Sequence, residues 1–148
     1  MTKMLSGEEL GEFLTGAVPG SLIEIQGDSV VLKPEFIAMS CQSLKDDTEF
    51  AMNYLVSITC VDYLECFEMI YHITSISRNH STVLRTRIFS RDEPQLPSVV
   101  GVWRGADFQE REIWDLMGIR FQGHPNLKRI LTWEGFDGHP LQKTHLGG

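Results

Sequence analysis

The sequence holds no apolar run approaching the roughly 18–20 residues that a membrane-spanning helix needs. Its opening, Met1-Thr2-Lys3-Met4-Leu5-Ser6-Gly7-Glu8-Glu9, has no apolar core of a secretory signal. Both absences predict a cytosolic chain, or one that meets a membrane only through partners. Cysteine is scarce and odd in number: Cys41, Cys60 and Cys66, with no Cys-x-x-Cys pair. A disulfide framework, or an iron–sulfur cluster ligated by this chain alone, is therefore not expected, and the three read as buried reduced thiols. Positive charge is in deficit, 13 Lys and Arg against 20 Asp and Glu, for a net charge of −7. That balance argues against nucleic acid or anionic lipid as the main partner. No Gly-x-Gly-x-x-Gly, phosphate loop, Gly-x-Ser-x-Gly elbow or His-Glu-x-x-His helix is present, which removes the commonest nucleotide, hydrolase and zinc-protease chemistries.

What is present suits one folded domain. Hydrophobic residues make up 42% and charged residues 22% of 148 positions, unlike a disordered chain and enough for a proper core. Ser6 and Glu9 have capping-box spacing, Leu5 and Leu10 sit where a hydrophobic staple would, and Leu10, Phe13 and Leu14 share a face, so a helix starts here and ends by Gly16–Gly20. Ser21–Gln26 and Ser29–Leu32, split by Gly27-Asp28, read as a β-hairpin. Pro34 opens a second helix, with Ile37, Cys41 and Leu44 at helical spacing. Tyr54–Val61, Phe67–Ile73 and Thr82–Phe89 read as consecutive antiparallel strands, and Ser98–Val102 as a short helix. Asp107 is placed to cap a third helix running to Met117, with Glu110 at capping-box spacing and Gly118 as its left-handed stop. The pattern predicts an α+β fold: two N-terminal helices, a four- to five-stranded largely antiparallel or mixed sheet, one further helix, then a long irregular C-terminal strap.

Residues 120–148 differ in kind from 1–119. They carry Arg120, Lys128, Arg129 and Lys143 against Glu134 and Asp137, a balance of +2, which leaves −9 on the rest. Their apolar residues follow no period. A disordered tail is poor in Trp, Phe, Leu and Ile, so this stretch reads as a strap lying on a surface, of this domain or of a partner. On this reading residues 1–119 form the α+β core domain and 120–148 a basic tail packing on partner subunits, and a cut after Met117 leaves the sheet foldable.

Two constellations could carry chemistry. Gly123-His124-Pro125 recurs as Gly138-His139-Pro140, and with His145 the histidines could form a metal site in a stand-alone protein or enzyme. The simpler reading has each histidine hydrogen-bonding a nearby carbonyl while Gly and Pro shape the turn. Glu110, Glu112 and Asp115 gather around Arg111 on one short helix, which suits a salt-bridged face or docking patch better than acid–base catalysis.

From Gly105 onward the sequence resembles the C-subunit family of respiratory NADH–quinone oxidoreductase, complex I. The family pattern is Glu-Arg-Glu, two variable residues, Asp, a Gly, then Phe-x-Gly-His-Pro-x-Leu-Arg-Arg-Ile-Leu, closing on Gly-His-Pro-Leu-Arg-Lys-Asp. Here stand Glu110-Arg111-Glu112, Asp115, Gly118, Phe121, Gly123-His124-Pro125, Leu127, Lys128-Arg129-Ile130-Leu131, Gly138-His139-Pro140-Leu141 and Lys143. Val61-Asp62-Tyr63, Phe67-Glu68 with Tyr71-His72, and Pro97-Ser98-Val99 with Trp103 extend the likeness to about residues 54–145. Gln142 departs from the usual Arg, Thr144 from Asp, His145 from an aromatic, and Arg104 from a frequent Pro. The resemblance implies a structural and assembly subunit of the hydrophilic arm, with no catalytic, metal or cofactor-binding residue of its own. FMN, iron–sulfur clusters and quinone would belong to neighbouring subunits. It implies partners in the large hydrogenase-like subunit beside the quinone site and in the iron–sulfur subunits, and a peripheral place on the cytoplasmic face of a prokaryotic inner membrane. The matched residues from Glu110 to Lys143 become the expected partner-binding set. The equivalent subunit of an energy-converting hydrogenase or formate hydrogenlyase would share these features.

Overall fold

A computed structural model describes residues 2–127 and 138–143. Lys3–Met4 forms a short strand, β1. Ser6 then caps α1 (Gly7–Ala17), its Oγ accepting from Glu9 N at 3.2 Å, and Leu5 and Leu10 are both buried beside the cap. Gly7 is required by close approach: a Cβ there would lie 2.5 Å from Gly27 O. The hairpin forms as β2 (Leu22–Gln26) and β3 (Ser29–Leu32). Pro34 opens a 3-10 turn, Pro34–Phe36, that leads into α2 (Ile37–Asp46). Three long strands follow: β4 (Tyr54–Asp62), β5 (Phe67–Ser75) and β6 (His80–Ile88). Then come β7 (Gln95–Pro97), α3 (Ala106–Met117) and β8 (Arg120–Gln122).

The main sheet runs β2-β3-β6-β5-β4, with β1 adding a sixth strand beside β6. The β4-β5-β6 meander is antiparallel, whereas β3 and β1 both pair with β6 in parallel, so the sheet is mixed. The two-residue β1 and the separate β7-β8 pair are too short to leave a period in the sequence. Phe67, Met69, Tyr71 and Ile73 alternate on one face of β5 and join Leu10, Leu14, Ile37, Cys41, Leu44, Ile113 and Met117 in a single core. On the opposite face Glu68 receives Arg85 at 2.9 Å and Arg87 at 3.0 Å, and Arg87 reaches Glu24 at 3.2 Å.

Three expectations are corrected. Ser98–Val102 is a turn rather than a helix, because the buried Glu110 carboxylate takes its donors. The third helix is capped at Gly105, and Asp107 falls inside its first turn. Regular structure also continues past residue 119: Ile119 and Phe121 are fully packed in the core, and β8 pairs with β7. A cut after Met117 would therefore strip the core, and the cut that spares it lies after Leu127, itself packed against the core.

Candidate docking site around the third helix

The helix α3 turns Ala106, Glu110, Ile113 and Met117 inward at helical spacing. Glu110 thus arrives buried, and it faces the turn after β7. One carboxylate oxygen accepts from Ser98 Oγ at 2.5 Å and the other from Val99 N at 2.8 Å. Those bonds draw Ser98–Trp103 into a turn shaped by a side chain twelve residues on, which local periodicity cannot register. Burial pushes the carboxyl up to about 7, against the pull of the two donors. The same turn is held from outside: Lys45 Nζ donates to Val102 O at 2.7 Å, and the Trp103 indole to Met52 O at 3.1 Å.

The acidic cluster read from the sequence is therefore divided. Glu110 and Asp115 are buried, Glu112 is exposed, and Arg111 lies over the Phe108 ring at 5.2 Å.

The two Gly-His-Pro turns bind opposite ends of this helix. Gly123, at φ 82°, turns the chain so that the His124 ring is fully enclosed near the helix start. Nδ1 accepts from Asn126 N at 2.9 Å, leaving Nε2 as donor. Nε2 lies 3.1 Å from Asp107 Oδ1 and 3.4 Å from Asp107 O. It is shared between them, with the carboxylate oxygen reached by proximity rather than by a well-aimed bond.

At the other end, a helix leaves its last four carbonyls without partners. Here each finds a donor. Gly118 N donates to Trp114 O at 2.9 Å, His139 Nδ1 to Asp115 O at 2.9 Å, Leu141 N to Leu116 O at 2.9 Å, and Gln142 Nε2 to Met117 O. Gly118 stands at φ 80°, and a Cβ there would lie 2.8 Å from both His139 and Gln142. The His139 ring also packs on Trp114 at 5.1 Å, and the Arg120 guanidinium lies over the Trp114 ring at 4.9 Å. Lys143 N then donates to Asp62 Oδ2 at 2.9 Å. Asp62 is buried at the end of β4 and takes Arg91 on both oxygens, at 2.8 and 2.9 Å. That pairing holds its carboxyl down to about 2.

The single-metal reading of the histidines does not survive this geometry. His124 and His139 engage Asp107 and Asp115, eight residues and about 12 Å apart along the helix, and His145 lies outside the described residues. Among the described residues no three His, Cys, Asp or Glu side chains gather as a metal site. Of the other residues singled out, Phe121 is core, Pro125 is exposed, Pro140 is half-buried, and Leu141 and Lys143 are exposed; Lys128 and Arg129 lie outside the described residues. Sequence reasoning missed the contacts of Ser98, Arg91 and Gln142. Their partners are 12, 29 and 25 positions away, beyond any local pattern. No described helix is long and apolar enough to cross a membrane.

Comparison with known proteins covers most of the chain, this region included. The profile of the family described as "Respiratory-chain NADH dehydrogenase, 30 Kd subunit" matches residues 30–147. The C subunit of NADH-quinone oxidoreductase from Roseiflexus sp. is 41% identical over 140 residues, 92% of this chain and 79% of that one. The second C subunit of the same oxidoreductase from Rhizobium etli is 44% identical over 119 residues, 78% of this chain but only 63% of that protein's length. A chain in the structure of the membrane-bound sulfane sulfur reductase, an archaeal respiratory membrane complex, shares the fold with TM-score 0.69 at 22% identity, over 90% of this chain and 79% of that one. With a family profile spanning both Gly-His-Pro turns and the helix they bracket, the chain belongs to the 30 kDa subunit family of respiratory-chain NADH dehydrogenase.

Proposed function

We propose that the chain is an assembly subunit in the hydrophilic arm of an NADH–quinone oxidoreductase, itself without redox centre or catalytic residue. It docks beside the large subunit that helps form the quinone site, and it meets the membrane on its cytoplasmic face only through that complex. NADH oxidation, quinone reduction and proton translocation are carried out by the assembly, with FMN, iron–sulfur clusters and quinone in neighbouring subunits. The observation that carries this reading is the family match across residues 30–147. The site geometry supports it. Buried carboxylates and histidines here are engaged in fixing backbone, the role of a scaffold: Glu110 holds a turn, Asp62 holds Arg91 and the strap, and His139 caps a helix. The strap presents Leu141 to solvent, 60% exposed, above a groove between β4 and α3, which suits contact with a second protein.

Deleting residues 128–148 tests the division of labour. The shortened chain is expected to keep its sheet by circular dichroism yet to be absent from the complex isolated from membranes, with NADH–quinone activity lost. A shortened chain that still enters an active complex contradicts the reading.

A further inference from the structure

One groove of about 580 Å³ runs between the start of β4 and the Val100–Gly105 loop. Lys45, Tyr54, Leu55, Trp103 and Arg104 are among its walls, and among the described residues its only charged ones are the two cations. This is opposite in sign to the net charge of −7. Arg104, which stands where the family pattern has a frequent proline, is exposed and makes no ion pair among the described residues. Lys45 gives one bond to the loop carbonyl of Val102. The nearest acids in sequence are otherwise engaged: Asp46 with Gln42, Asp47 with the amides of Glu49 and Phe50, and Asp107 with His124.

The wall on the β4 side is a sheet edge. β4 is the last strand on its side of the sheet, and α3 begins to cover it at Ile58, whose N–H donates to Gln109 Oε1 at 2.7 Å. Before that point Tyr54 is 52% and Val56 43% exposed. From Tyr54 to Thr59 the strand has no charged residue and no proline. Soluble proteins blunt open edges with charges, prolines and bulges; this edge has a register shift between Leu55 and Ser57 but no charge or proline to repel another chain.

We propose that this groove receives an extended, acidic segment of a neighbouring subunit. The segment's backbone runs beside Asn53–Leu55, ahead of the register shift in β4, and its carboxylates meet Arg104 and Lys45. Tyr54 and Trp103 supply the apolar anchorage between the charges. The inference rests on the proposed subunit role and names the chemistry of one contact within it.

The test uses the tagged full-length chain in native membranes, with Val56 replaced by a photoreactive phenylalanine analogue. Illumination followed by peptide mapping is expected to join position 56 to an Asp- and Glu-rich segment of another subunit. In parallel, Arg104→Glu is expected to lower recovery of the chain with the complex after a high-salt wash by roughly three- to tenfold. Arg104→Lys should retain most of it, and circular dichroism should be unchanged in both. An intact complex with no crosslink overturns the proposal. So does a crosslink to a second copy, to this chain's own tail or to a segment poor in acids, or full retention of Arg104→Glu. Failure of the unmodified chain to co-purify with any complex is a different result, and it removes the subunit role itself.

Discussion

The sheet with α1 and α2, and the α3 belt with its strap, share one core but differ in what else holds them. The first is a continuous apolar cluster in which Phe67, Met69, Tyr71, Ile73, Leu84, Leu10, Leu14 and Leu44 are fully enclosed. The second joins that cluster through Ala106, Ile113, Met117, Ile119 and Phe121, and its ends and strap are fastened by single polar contacts made by Glu110, His124, His139, Gln142 and Asp62. Apolar burial is non-directional and tolerates small shifts, whereas a hydrogen bond to one named carbonyl is lost once the geometry moves. The shared core thus folds as a unit, and the strap can be undone contact by contact.

Four perturbations tell the two regions apart. The largest effect belongs to the sheet. Phe67→Ala removes a fully buried ring and the platform under Arg91, 4.5 Å away, and should cost about 3–5 kcal/mol in urea unfolding, affecting every probe alike. Asp62→Ala leaves Arg91 half-buried without its partner and frees Lys143 N. It should cost about 3 kcal/mol and open residues 138–143 to limited proteolysis before the sheet unfolds. Simultaneous loss of sheet and strap in that variant would erase the distinction.

Acidity separates the two buried carboxylates. Glu110 is raised to about 7 from 4.5, so the folded chain holds a proton that the unfolded chain releases. Its contribution is complete below the unfolded value and is lost as pH rises through about 7, on the order of 3 kcal/mol. Asp62 is lowered to about 2 from 3.8, so its contribution is present above 3.8 and is lost as pH falls through about 2. Melting temperature of the wild type should therefore decline between pH 5 and 7.5, and Glu110→Gln should flatten that decline while leaving the acid limb in place. A wild-type profile that is flat over this interval would refute the assignment. The smallest effect is His139→Ala, about 1 kcal/mol, read as faster amide exchange at Leu141 and Gln142 with the sheet amides unchanged.

The same contrast explains what the sequence disclosed. The capped α1, the Gly27-Asp28 hairpin, the helix opened by Pro34 and the three long strands were legible, because Leu10 with Leu14, or Phe67 with Met69 and Tyr71, repeat at the spacing their burial requires. The α3 belt was legible only as residue types. Glu110 reads as one member of an acidic run until the fold brings Ser98 to it, and Ser98–Val102 reads as a helix for the same reason. The repeated Gly-His-Pro suggested a carbonyl-bonding histidine, and His139 on Asp115 O is that contact. That the two turns clasp opposite ends of one helix depends on the path of β8 back along α3, which no local pattern encodes. Gln142 stood out only as a departure from the family pattern, yet its amide completes the cap on Met117 O.

The assembly role is tested most directly by an affinity pull-down of the tagged, full-length chain from native membranes, with mass spectrometry of the co-purifying subunits. Recovery with flavin- and NADH-binding subunits, together with the large quinone-site subunit, is the expected result. Recovery with a nickel–iron hydrogenase, or of the chain alone, would contradict it.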